Sequence, residues 1–239
     1  MAEPRIGTAG WTIPTAFAEH FPALGNGLER YATRFRCAEI NSSFHRSHRA
    51  ATWQRWAASV PADFRFSAKL SKAITHKQKL IDCEDPLTAA LAEMMQLGDT
   101  LAVVLVQLPP SLAYDAAVAL PFFTALRARW GGGLAFEPRH PSWFEAEPDA
   151  LLIHHRIARV AADPARVPQA AAPGGWRGLT YYRLHGSPAM YRSSYNDGRL
   201  EPYAAALAAD PAEERWCIFD NTASSAATSD ALKLQRLIG

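Results

Sequence analysis

LAVVLVQLPP, residues 101–110, is the stretch on which the fold turns. Residues 101–106 are all apolar. A strand covered on both faces, as in a parallel sheet between helices, reads this way rather than as an alternation. The one polar residue inside the run, Gln107, stands at its C-terminal end, and Pro109–Pro110 stop it. Seven other runs share the design: RIGTAGW (5–11), CAEINSSFH (37–45), RFSAKL (65–70), LAFEPRH (134–140), ARVAAD (158–163), LTYYRLHG (179–186) and RWCIFDNT (215–222). Each is apolar first and polar or charged last, and helix-like segments separate most of them. Eight such units predict a (β/α)8 barrel of the triosephosphate-isomerase (TIM) type, whose pocket sits where the strands end.

Length and composition agree. The chain has 239 residues, close to the ~250 typical of one such barrel, so residues 1–239 are read as a single barrel domain. Half the chain is hydrophobic (49%), so a large core can be buried. The net charge of +2 gives no global pull toward nucleic acid or membrane. Cys37, Cys83 and Cys217 are odd in number and far apart, with no CxxC spacing. They predict free thiols in a reducing, cytoplasmic setting. The first residues lack the features of a signal peptide, and no apolar run approaches the ~20 residues of a membrane span.

Between the runs, helices are expected at 27–35, 50–59, from Pro86 to near Gly98, and at 116–130, 148–155, 201–209 and 225–238. Residues 164–178 carry three prolines and three glycines, so the sixth helix should be missing or replaced by a loop. Side chains alternate along a strand, and an unpaired charge against the outer helices is costly. The charged set should therefore face inward. That places Glu39, Asn41, Ser43 and His45 together on the second strand, Ser67 and Lys69 on the third, Glu137 and Arg139 on the fifth, and Arg183 and His185 on the seventh. Gln107, Asp163 and Asp220 come from the fourth, sixth and eighth.

The segments GTAGW, EINSSFHR, FRFSAKLSKAITH, VVLVQLPPSL, FEPRHPSWF, YYRLHG and FDNT, in this order, resemble the domain-of-unknown-function 72, or YecE-like, family. The resemblance covers nearly the whole chain and implies a TIM-type barrel; it implies no particular reaction. The chain departs after the last strand. It reads Asp220-Asn221-Thr222, where the family often has an Asn-Asn-Asp turn.

The residues themselves point to acid–base chemistry on an anionic ligand. Glu39, Glu137, Asp163, His185 and Asp220 are the catalytic candidates. Asn41, His45, Lys69, Gln107, Arg139, His140, Trp143, Arg183, Tyr195 and Asn221 are the substrate-binding candidates. Arg139 could clamp a phosphate or carboxylate, Glu137 could serve as general base if burial raised its pKa, and Trp143 could stack on a ligand ring. Tyr195 would reach the ligand from a mobile flap, SSYNDGRL. A basic rim, Lys69, Lys72, His76, Lys77 and Lys79 with Arg46, His48 and Arg49, suggests an anionic small molecule such as a phosphorylated sugar or a carboxylate. A nucleic-acid backbone is the alternative partner, and a non-catalytic ligand-binding scaffold is a third reading. The same charges could also be a salt-bridge network that closes the barrel top. No cofactor is indicated. A divalent metal on the carboxylates and His185 is possible but not favoured, because Lys69, Arg139 and Arg183 would crowd a cation. The oligomeric state is not legible.

Overall fold

The structure, a computed structural model, describes residues 3–239. The run 101–110 supplies strand β4 (Leu101–Gln107), buried almost throughout. It lies between β3 (Arg65–Lys69) and β5 (Gly133–Glu137) and is parallel to both. Outward from it come β2 (Cys37–Ile40), β1 (Arg5–Ala9), β10 (Glu214–Phe219) and β9 (Leu179–Leu184), again all parallel.

The expected sixth strand is split. Its first part, β6 (Ala158–Arg159), pairs with β5, and its second, β7 (Ala161–Asp163), pairs with β9. A further pair of residues, β8 (Gly174–Gly175), runs antiparallel to β6. The result is an α/β fold around one ten-stranded, nearly closed, barrel-like sheet, ordered β7-β9-β10-β1-β2-β3-β4-β5-β6-β8. A single residue, Val160, separates the two pieces that carry the two ends of the sheet.

The helices are α1 (Gly27–Ala32), α2 (Ser42–His45), α3 (Ala50–Ala58), α4 (Glu84–Met94), α5 (Ala116–Arg129), α6 (Ala146–His154), α7 (Asp197–Ala209) and α8 (Ala226–Ile238). α1 starts where Asn26 accepts from the Leu28 and Glu29 amides while Glu29 bonds back to the Asn26 amide, a capping box. No α-helix lies between β7 and β9, where the glycines and prolines occur. Among the described residues no helix is long and apolar enough to cross a membrane.

Two apolar clusters follow the strand alternation. Val103, Leu105, Ala135, Tyr181, Trp216 and Ile218 pack inside the sheet. Phe66, Val104, Leu134, Phe136, Tyr182 and Phe219 pack outside it against the helices. β1 and β2 approach so closely that a Cβ on Gly7 would overlap the Cys37 carbonyl oxygen, so only glycine fits there. The three cysteines are free and buried.

Candidate functional site

Inward alternation on β9 puts Leu179, Tyr181, Arg183 and His185 in a rising column, apolar at the bottom and charged at the top. Arg183 is wholly buried, so its charge has to be met inside the protein. Glu39 meets it at two points, Nε to Oε2 at 3.0 Å and Nη2 to Oε1 at 2.6 Å. Nη1 donates to Glu137 at 2.6 Å, and Nη2 also donates to Asp220 at 2.9 Å. The guanidinium thus ties the ends of β2, β5 and β10 to β9. Below it the Tyr181 hydroxyl donates to Glu39 at 3.0 Å and lies 2.7 Å from Ser67 Oγ.

Glu137 also accepts from Arg139, through Nε at 3.1 Å and Nη2 at 2.9 Å. Burial would raise its pKa, but Arg183, His185 and Arg139 outweigh that and hold the carboxyl well below its usual range. The expected general-base role for Glu137 is therefore corrected: a carboxylate bound by two guanidiniums is a weak base. Asp220 is lowered too, burial being overcome by Arg183 and His185. His185 goes the other way. Burial disfavours its charge, yet Glu137 and Asp220 raise its pKa above the ordinary value. Its Nδ1 lies 3.1 Å from Asp220 Oδ2. Its Nε2 lies 3.3 Å from Glu137 Oε1.

Lys69 closes the group from β3. Only 7% of it is exposed. Among the described residues its Nζ makes no hydrogen bond and no ion pair, and it sits 4.2 Å over the ring of Phe44. Burial first, then Arg183, pull its pKa down to about 8 against the pull of the three carboxylates. The loop after β3 folds into a π-helical turn (Ala73–Lys77) that sets His76 edge-on to Phe44 at 5.0 Å. Burial and the charges of Lys69, Arg139 and Lys72 lower the His76 pKa. The cationic groups of the β3 and β5 loops therefore gather on one side of the mouth. Gln107 is buried beside Glu137 in the strand register.

Other expected contributors stand elsewhere. β2 ends at Ile40, and residues 42–45 turn into α2 instead of continuing the strand. Asn41 still reaches inward, its Nδ2 donating to Asp220 at 3.2 Å while its buried Oδ1 has no partner. Ser43 bonds the Ile40 and Lys69 carbonyls, and His45 is exposed. His48 is a packing residue, edge-on to Trp53 and Trp56. Trp143 is 1% exposed, donates to the Leu112 carbonyl and packs on Phe136 and Tyr114. It is a core residue with no face to offer a ligand. His140 caps the short 3-10 helix Pro141–Phe144, accepting from the Ser142 amide.

Asp163 does not join the charged group. Its carboxylate accepts from the Tyr195 hydroxyl at 2.6 Å and faces Arg199 at 3.3 Å. Tyr195 is fully buried, so it is an anchor and not the tip of a flap. Its amide and Ser194 Oγ donate to Asp230 of α8, and Asn221 Nδ2 donates both to Asp230 and to the Ser193 carbonyl. Asn221 is thus a structural brace. The segment held this way, 186–195, arches over the site. Gly186 needs its φ of 90° and its missing Cβ to pass Ser193, and Tyr191 lies edge-on to His185 at 5.6 Å.

Under this segment a cavity of about 20 Å³ is lined by Glu137, Arg139, Arg166, His185 and Met190, with prolines beside them. That is room for about one water molecule. Sequence reasoning missed Tyr181, which the same alternation as Arg183 would have revealed. It also missed Asp230, an acid on an amphipathic helix that gives no local sign of its role.

The carboxylates here are occupied by guanidinium N–H groups, and among the described residues no set of three His, Cys, Asp or Glu is grouped as metal ligands. In comparisons with known proteins, the chain is 31% identical over 175 residues to the UPF0759 protein YecE of Escherichia coli K12. The match covers 70% of this chain and 61% of that protein. The YecE of E. coli O157:H7 is 29% identical over a similar stretch, again reaching 61% of its length. The chain thus spans about three fifths of the curated relatives it matches. Two solved structures share the fold. A DUF72 family protein of Enterococcus faecalis V583 superposes with a TM-score of 0.81 at 18% identity, covering 98% of this chain and 94% of that one. One of Thermotoga maritima MSB8 superposes with a TM-score of 0.72 at 20% identity, covering 99% of each chain. The model of the family described as "Protein of unknown function DUF72" matches residues 5–239, and this chain belongs to that family.

Proposed function

We propose that the chain is an enzyme, a single-domain variant of the (β/α)8 barrel, that performs acid–base chemistry on an anionic small molecule at its strand C-termini. The observation that carries this reading is the unequal pairing of the cations. Arg183 is saturated by carboxylates. Among the described residues Lys69 has no carboxylate partner, and the one carboxylate that Arg139 meets is Glu137, through Nε and Nη2 on a single oxygen, with Tyr191 beside it. Three buried carboxylates thus face two guanidiniums, the Lys69 amine and an imidazole whose charged form is favoured. That balance leaves a phosphate or carboxylate welcome at the mouth.

Roles divide by environment. His185, held as an imidazolium, is the proton donor, and Lys69, pulled toward its neutral amine, is the base; the two shifts bring both groups toward the working pH, where proton transfer is most effective. Glu39, Glu137 and Asp220 orient Arg183, Arg139 and His185. Asp163 with Tyr195 secures segment 186–195, which has to swing aside before anything larger than water enters the cavity.

The test is a thermal-shift panel at low salt with phosphorylated sugars, carboxylates, nucleotides and oligonucleotides. A ligand of the folded state raises Tm with concentration. A small anion should do so in the parent and lose its effect in Arg139→Ala, with the fold kept. A shift with oligonucleotides alone, falling steeply with salt, would replace this reading with the nucleic-acid one. Small-anion binding left intact by Arg139→Ala would remove the site assignment.

A further inference from the structure

We propose that Lys69 is a covalent anchor whose Nζ condenses with the carbonyl of an aldehyde or ketone that also carries a carboxylate or phosphate, forming an imine at the end of β3. The proposal rests on the anion-site reading above and gives the Lys69 amine, there a base, the role of nucleophile. Three observations support it, the first of them geometric.

The first is burial without pairing. A lysine that serves only as a counter-ion is paired or solvated, yet Lys69 is neither. Glu39, Glu137 and Asp220 spend their oxygens on Arg183, Arg139, His185, Tyr181 and Asn41. The Lys69 amine is left over an aromatic face, 4.2 Å from the Phe44 centroid. A desolvated lysine beside another cation is the arrangement that makes an amine nucleophilic. Burial and Arg183 lower its pKa to about 8. At pH 7 this leaves on the order of a hundredfold more free amine than an ordinary lysine of pKa ~10.4 has.

The second is the neighbouring acid. Asp220 lies 3.1 Å from His185 Nδ1, and the charge of Lys69 also acts on it. In the addition step the Lys69 nitrogen forms a bond to the carbonyl carbon, and the oxygen takes a proton from His185. The nitrogen then returns its own proton, giving a neutral carbinolamine. His185 protonates that hydroxyl and water leaves as the nitrogen lone pair forms the C=N bond; the iminium then returns its N–H proton to His185. The net change is amine plus carbonyl to imine plus water, with no oxidant or reductant.

The third is the second handle. Arg139 and His76 share the cationic side of the mouth with Lys69. A carbonyl compound held at Lys69 therefore meets positive charge a few atoms away. That selects oxo acids or phosphorylated aldehydes and ketones over neutral carbonyls.

The other four lysines provide internal controls. Lys77 and Lys79 are exposed and Lys72 is half-buried, while Lys233 is paired with Asp230 at 3.1 Å. The experiment incubates the full chain at pH 7 with pyruvate, glyoxylate, glyceraldehyde 3-phosphate or propionaldehyde. Sodium borohydride then reduces any imine, and peptide mass mapping locates the added mass. The expected result is a reduced adduct on Lys69, well above that on any other lysine, formed by at least one anionic probe and suppressed by inorganic phosphate. Lys69→Met and Lys69→Arg should both lose it. Absence of an adduct on Lys69 with every probe, or labelling no higher than at Lys77 and Lys79, overturns the proposal. If small anions still raise Tm through Arg139 in that case, the imine fails while the anion site stands. Equal labelling by propionaldehyde overturns the claim of an anionic handle. The carboxylate and phosphate probes, compared with each other, identify which acid the pocket takes.

Discussion

Arg183 and Glu39 face each other in a two-point contact, 3.0 and 2.6 Å, with neither side chain reaching solvent. Arg183→Met would leave Glu39, Glu137 and Asp220 buried without their shared cation. Breaking a buried pair from one side costs about 3–5 kcal/mol. Urea unfolding should show a loss of that order. Arg183→Lys should be nearly as damaging, since an ammonium cannot reproduce the planar fork. A methionine variant within about 1 kcal/mol of the parent would show that the hub does not hold the strand ends together.

Stability should carry a signature of His185. Its folded pKa lies above its ordinary 6.5; burial opposes this, and Glu137 and Asp220 override it. The imidazolium therefore stabilises the fold fully below about pH 6.5, and the contribution is lost as pH rises through the folded value. His185→Gln should lack that downward slope above about pH 6.5 while keeping the acid-side fall due to Glu137 and Asp220. Unfolding free energies of the two proteins from pH 5 to 9 check this. Parallel curves would mean that the histidine is not charged in the folded state.

Tyr195→Phe deletes the hydroxyl that accepts from the Gly186 amide and donates to Asp163. A buried amide and a carboxylate lose a partner, at about 1–3 kcal/mol for each group left unsatisfied. The loss should be local. Amide hydrogen exchange in 186–195 should accelerate while the β1–β5 amides keep their protection. Uniform acceleration across the sheet would refute an anchor confined to that segment.

Much of the site was legible because strand alternation is a strict geometric rule. Glu39, Lys69, Glu137, Arg183, His185 and Asp220 follow from it directly. It misled where the strand stopped. β2 ends at Ile40 because Ser43 turns to bond the Ile40 and Lys69 carbonyls, and small hydroxyl side chains compete in this way with sheet bonding. His45 was lost with it. Trp143 and Tyr195 were misplaced for a different reason. Each is fixed by a partner distant in sequence, Leu112 for one and Asp163 and Asp230 for the other, and local composition carries no trace of such contacts. The sign of the pKa shifts was also hidden. That Glu137 falls and His185 rises depends on which carboxylates Arg183 reaches.

The order of the sheet sets the order of assembly. β1 lies between β2 and β10, so Arg5 is paired with Trp216, near the other end of the chain. Closing so long a loop is entropically slow. Until β9 and β10 have been synthesised, β1 shows an unpaired edge, and β8 holds the other edge with only two residues. Open parallel edges invite pairing with a second chain. The nascent protein is therefore most exposed to aggregation just before its last strand arrives, and that strand ends the danger on both of its sides by joining β9 to β1.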